Sequence, residues 1–184
     1  MQIDKENGGS DRSGKTWRGC LFCKAGKECN AIQELRVCAP EMRAVAPVKL
    51  RARRVGGVTR AERVSLIPGY IFFEIDTLDL PFRLTKLENV LKLLTYPNGD
   101  WQLSGYDDQF ARTMFENNGE IGFSKAVFDE GNRIRIIDGF LKDYEGNITR
   151  VNRRARTAEV CVEFQGKKIY MWFGYELMER RDTD

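Results

Sequence analysis

The sequence predicts an α+β protein: an α/β sandwich with an antiparallel sheet, followed by a small five-stranded β-barrel. Three observations carry that prediction. Ser65 to Ile75 is an apolar, aromatic strand interrupted by Pro68-Gly69. Two segments, after Gly26 and after Ser104, have apolar residues at helical spacing. From about residue 131 onward only short alternating runs remain, separated by turn residues every few positions.

The elements follow in order. Residues 1–15 are rich in Gly, Ser and charge and read as a disordered lead-in. Trp17 to Phe22 reads as a first strand, weakened by Gly19. Gly26-Lys27-Glu28 opens a helix to about Val37, with Ala31, Ile32 and Leu35 on one stripe, and Pro40 ends it. Residues 43–67 read as a long hairpin with a basic tip turning at Gly56-Gly57. Tyr70 to Ile75 is too apolar to face water on an edge and is expected at the centre of the sheet. Along it Tyr70 and Phe72 share one face, and Ile71 and Phe73 the other.

Pro81 to Asn89 reads as a short helix and Val90 to Thr95 as a strand. Ser104 to Asp107 fits an N-capping pattern for a helix on which Phe110/Met114 and Ala111/Phe115 stack. Asn117-Asn118-Gly119 stops that helix, and 117–126 reads as a linker. The units are therefore 16–116 and 127–181. In the second, runs near 133–137, 146–151, 158–164 and 167–173 alternate, with a basic turn at residues 152–156.

With 184 residues, of which 42% are apolar, the chain can bury a core in each unit. The net charge is only +3, but it is uneven. Residues 49–63 set Lys49, Arg51, Arg53, Arg54, Arg60 and Arg63 against Glu62 alone, and residues 131–171 carry nine basic and five acidic side chains. Such local fields attract phosphate backbones, although a solvated strand surface has the same composition.

No apolar run reaches the ~18–20 residues of a membrane span, and the N-terminus lacks a signal-peptide core, so a cytoplasmic protein is expected. The five cysteines read as thiols in a reducing compartment. Cys20 and Cys23 form a CxxC, but Cys29 and Cys38 are widely spaced and the chain has no histidine, so packing is favoured over a metal site. The absence of histidine, of a phosphate loop and of a nucleophile motif argues against an enzyme, and no cofactor is implied.

Two motifs resemble the NusG family of transcription elongation factors. Trp17, the Gly26-Lys27-Glu28 helix start and Ile67-Pro68-Gly69-Tyr70-Ile71-Phe72-Phe73-Glu74-Ile75 are similar to the family's N-terminal (NGN) domain. Phe128 to Gly139 and Tyr144 to Ile148 are similar to a KOW domain, an SH3-like barrel. The likeness spans roughly residues 16–181. The chain departs from the pattern at Trp17-Arg18-Gly19-Cys20, where Trp-Tyr and aliphatics are usual, and at Phe140, where Pro is usual. The basic run Asn152-Arg153-Arg154-Ala155-Arg156 resembles LoaP, a specialised antiterminator branch.

The resemblance implies a processive antitermination factor. Its first domain would bind the clamp helices of RNA polymerase through Trp17, Pro68, Tyr70 and Phe72, with Arg53, Arg54 and Arg60 near the DNA of the transcription bubble. Its second domain would recruit a nascent leader RNA hairpin through Arg150, Arg153, Arg154, Arg156, Lys167 and Lys168. Rho or a ribosomal protein is the alternative partner of that domain. A ribosome-associated KOW protein binding rRNA is the competing reading of the whole chain, and it leaves the Ile67–Ile75 strand without a role.

Overall fold

The structure, a computed structural model, describes residues 16–77 and 84–178. The expected lead-in lies outside those residues, as does the start of the helix expected at Pro81. Of the latter, Leu84–Lys86 is a single 3-10 turn.

The chain runs β1 (Trp17–Cys23), α1 (Glu28–Cys38), β2 (Arg43–Val45), β3 (Val48–Val55), β4 (Val58–Ser65), β5 (Tyr70–Ile75), β6 (Val90–Leu93) and α2 (Gly105–Glu116). It continues with β7 (Glu120–Ile121), β8 (Ser124–Phe128), β9 (Ile134–Asp138), β10 (Ile148–Asn152), β11 (Thr157–Phe164) and β12 (Lys167–Leu177). This is an α+β architecture.

The first sheet has the order β2-β5-β1-β6 and its pairs are antiparallel, so β5 is interior as its composition predicts. One face carries Leu21, Cys23, Ile71, Phe73 and Ile75, which pack with Ala31 and Leu35 of α1. The opposite face carries Cys20 and Phe72, which pack with Phe110, Ala111 and Met114 of α2. The departure at Gly19 has a steric reason. A Cβ there would stand 2.3 Å from the Phe73 ring and 2.9 Å from Trp101. Phe73 and Trp101 stack at 5.5 Å over the bare backbone. Arg18 points to the other face, where its guanidinium meets Glu74 at 3.4 Å and Asp108 at 3.1 Å.

The sequence motif around Pro68-Gly69 forms a tight turn. The Tyr70 amide donates to the Ile67 carbonyl at 3.2 Å, and Gly69 has φ +83°, the position that type II turns reserve for glycine. The turn is held from both sides. The Gly69 carbonyl accepts from the Cys23 amide at 2.7 Å, and its amide donates to the Glu28 carboxylate at 2.7 Å. Burial would raise the Glu28 carboxyl, but hydrogen bonds from the amides of Gly69, Glu28 and Gly26 outweigh it and hold it below the usual range.

The expected long hairpin is two pieces. Short β2 joins the first sheet, while β3 and β4 form an arm closed by the two-residue turn Gly56-Gly57, with side chains exposed from Arg51 to Ala61. Ser104 precedes α2 as expected, but its side chain makes no capping hydrogen bond. The backbone carbonyl of Ser104 accepts the Asp107 amide at 3.2 Å.

The segment expected as a linker is structured. Glu120–Ile121 pairs in parallel with Val48 and Lys49 of β3, and Ser124–Phe128 is a full strand. This β8 is the fifth strand of the second sheet, which has the order β10-β11-β12-β8-β9. The sheet has the five strands expected and curls into a half-barrel with β9 and β10 at its edges. Its interior holds Leu141, Val160, Phe173 and Tyr175. Phe140 is buried there, stacked on Tyr144 at 4.6 Å and against Phe173 at 4.5 Å. A proline at position 140 would remove both ring contacts.

Two outcomes test the turn. Gly69→Ala places a Cβ 2.9 Å from the Phe22 ring and 3.1 Å from the Cys23 carbonyl at positive φ. It should cost at least ~1–2 kcal/mol in urea unfolding, the penalty of the left-handed conformation alone. For Glu28, the lowered carboxyl stabilises the fold fully above the unfolded value of 4.5 and loses that contribution as pH falls through the folded value. The stability advantage of the natural chain over Glu28→Gln, measured by denaturant titration across pH, should therefore be full near neutrality and vanish in acid.

Candidate interaction surfaces

The face of β5 that bears Tyr70 and Phe72 borders an aromatic hollow. Tyr70 packs edge-on against Phe22 of β1 at 5.2 Å, and Phe72 packs edge-on against Phe110 of α2 at 5.8 Å. The hollow is filled from the second sheet. Phe164, the last residue of β11, lies 5.4 Å from Phe72, 6.1 Å from Tyr70 and 6.1 Å from Phe110. Phe72 is fully buried and Phe164 is 2% exposed. The cores of the two sheets thus form one continuous cluster.

Polar contacts fix this docking. Asp107, buried on α2, accepts the Tyr96 hydroxyl at 2.6 Å with one oxygen and the Gln165 amide at 3.0 Å with the other. Gln165 adopts φ +52° just beyond Phe164, which aims its amide at that carboxylate. On the far side, Lys49 Nζ donates to the Trp172 carbonyl at 2.7 Å and lies 5.6 Å from the Phe173 ring centroid. Burial, with Arg51 adding to it, pushes the Lys49 ammonium below its ordinary value.

The four residues expected at the polymerase surface do not form one patch. Tyr70 and Phe72 line the hollow. Pro68 is exposed at the turn. Trp17 pairs with Ile75 and packs with the α1-side core, on the opposite face of the sheet. Alternation along β5 separates Tyr70 from Ile71, and the β1–β5 register puts Cys20, not Trp17, on the face of Phe72.

The basic residues also divide. On the arm, Arg53 stands directly opposite Arg60, and Glu62 pairs with Arg53 at 3.2 Å and with Arg51 at 2.8 Å. Arg54 faces the other way. In the second sheet Arg150 pairs with Glu159 at 3.7 Å. Arg153 is bound in place: its guanidinium donates to the Asn132 carbonyl at 2.5 Å and lies 4.3 Å from the Phe128 ring centroid. Arg154 and Arg156 are exposed at the β10–β11 turn. Lys167 and Lys168 begin β12, at the opposite end of the eight-residue β11. The six barrel cations expected to act together therefore occupy separate places.

The residues that sequence reasoning missed are Phe164, Asp107 and Phe110. Phe164 looked like one more inward residue of an alternating strand. Its position next to the Gln165-Gly166 turn was the available signal.

Among the described residues no group of cysteine and carboxylate side chains could hold a metal ion. Cys20 and Cys23 lie on opposite faces of β1, one in each core. Burial drives the Cys20 thiol far up, and burial with the nearby Glu28 pushes Cys23 up to about 11.

No family model matches the chain. It is 23% identical over 145 residues to a transcription termination/antitermination protein NusG from Borreliella burgdorferi, covering 73% of this chain and 78% of that protein. A solved structure of Thermotoga maritima NusG, described as concerning domain interaction, matches with a TM-score of 0.45 and 14% identity, covering 88% of this chain and 94% of that one. No helix among the described residues is long and apolar enough to cross a membrane.

The thiol environments are directly testable. A thiol reagent at about pH 8 should label exposed Cys29 first in the native protein, while Cys20 and Cys23 react only after unfolding. Mass mapping of the labelled cysteines against time checks the order.

Proposed function

We propose that this chain is a transcription elongation and antitermination factor that binds RNA polymerase clamp helices through the hollow bordered by Tyr70 and Phe72. The observation that carries the reading is the hollow itself. It is an aromatic surface beside α2 on one face of the first sheet, filled from another part of the chain by the Phe164 ring. A surface that accepts one aromatic plug can accept another apolar partner, and aromatic anchors in such pockets supply ~2 kcal/mol or more each to an interface. The NusG relative named above, a termination/antitermination protein, supports the same class.

In this reading the docked arrangement is a closed form. Polymerase and Phe164 compete for one surface, so binding requires the second sheet to leave. The parts that separate are residues 16–116 and 127–181, hinged within 117–126, with the short β3–β7 pairing released or carried along. The intrinsic affinity for polymerase is then reduced by the fraction of chain that is open. The basic turn carrying Arg154 and Arg156 serves a nascent RNA, the LoaP-like part of the reading. Phosphate contacts suit recognition by shape.

The test pairs two substitutions. Phe164→Ala empties the hollow and should tighten polymerase binding and raise readthrough of an intrinsic terminator in a single-round assay. Tyr70→Ala should weaken both, by about ten-fold or more in affinity. Circular dichroism checks that each variant is folded. Unchanged polymerase affinity in both variants would remove the hollow as the binding surface. Co-sedimentation with ribosomes in place of polymerase would favour the rRNA-binding alternative.

A further inference from the structure

Docking of the two sheets creates a second feature, a cleft of about 670 Å³ between the β3–β4 arm and the second sheet. Its walls bring together Lys49, Arg51 and Arg54 from the arm with Arg154, Arg156 and Trp172 from the second sheet. Five cations converge, and Glu176 is the one carboxylate lining the cleft. Arg51 is neutralised in part by Glu62. Arg54, Arg154 and Arg156 carry no ion pair to any described residue. Gathering like charges raises the energy of the docked form, and a polyanion seated between them would remove that penalty.

The aromatic residues narrow the class of polyanion. Trp172 is 36% exposed although it lies next to buried Met171 and Phe173. Tyr170, two residues earlier on the same outward face of β12, is 56% exposed. Exposed rings beside a basic groove stack on unpaired bases, which duplexes keep enclosed.

We propose that this cleft binds single-stranded nucleic acid, and that the site exists only when the arm and the second sheet are docked. The arm arginine Arg54 and the turn arginines Arg154 and Arg156 grip one backbone from its two sides, and Trp172 stacks on a base. The inference deepens the proposed nucleic-acid role of the basic turn and rests on it. It adds that the arm completes the site. A strand bound across both walls holds Phe164 in the hollow, so nucleic acid in the cleft and polymerase at the hollow oppose each other by linkage.

The experiment measures binding of a fluorescein-labelled 12-nucleotide single strand (RNA and DNA of the same sequence) to the full chain by anisotropy. Salt titrations and a duplex control accompany it. Arg54→Ala should weaken binding and flatten the slope of log K against log salt by about 0.7, and Arg154→Ala with Arg156→Ala by about 1.4. Trp172→Ala should weaken binding by about 5- to 150-fold, with Trp172→Phe restoring most of it. Phe164→Ala, at a residue outside the cleft lining, should weaken it as well by undocking the walls. Binding that depends on Arg154 and Arg156 but is indifferent to Arg54 and Phe164 would overturn the shared cleft and leave the barrel reading standing. Indifference to all of them, or absence of binding, would overturn both. Tighter binding of the duplex than of either single strand would overturn the stacking assignment and the proposal with it.

Discussion

Phe164 seated among Tyr70, Phe72 and Phe110 joins two sheets that could each close a core of their own. The ring belongs to the last residue of β11, paired with Lys167 beside the turn. Asp107 then fixes the turn by accepting the Gln165 amide, so that an apolar contact without direction acquires one geometry. The remaining inter-sheet features follow from this contact. The Lys49 bond to the Trp172 carbonyl and the basic cleft both need the second sheet held against the first half of the chain.

The docking also sets the functional problem for the molecule. The aromatic surface of Tyr70 and Phe72 is already covered by Phe164. Burial of aromatic rings stabilises the covered form by roughly 25 cal/mol per Å² of apolar area. The convergence of Arg54, Arg154 and Arg156 acts in the opposite sense, because each is exposed and lacks a counter-ion among the described residues. A fold held closed by rings and strained open by charge is suited to respond to ligands that engage either feature. This gives the uneven charge of the sequence a physical role that net charge alone, at +3, conceals.

The departures from the resembled pattern at Gly19 and Phe140 turn out to be packing solutions. Gly19 gives up strand propensity so that Phe73 and Trp101 can stack across the backbone. Phe140 gives up a rigid turn residue for a ring between Tyr144 and Phe173. Neither touches the exposed basic turn at residues 153–156.

Sequence alone determined the elements whose cause is local. Alternation separated the two faces of Tyr70 to Ile75, and Pro68-Gly69 fixed its turn through backbone conformation. Helical spacing located both helices, and turn residues located four strands of the second sheet. The tertiary structure decided what depends on pairing between distant segments. Residues 117–126 read as a linker because β7 and β8 are short, and their parallel partners β3 and β12 are remote in sequence. Trp17 fell on the opposite face from Tyr70 because cross-strand register, not composition, sets which residues share a face. Arg54 met Arg154 and Arg156 because one ring entered a hollow formed by residues far from it in the chain. No local pattern records such a contact, since the energy that selects it comes from surface removed from water only once both halves are folded.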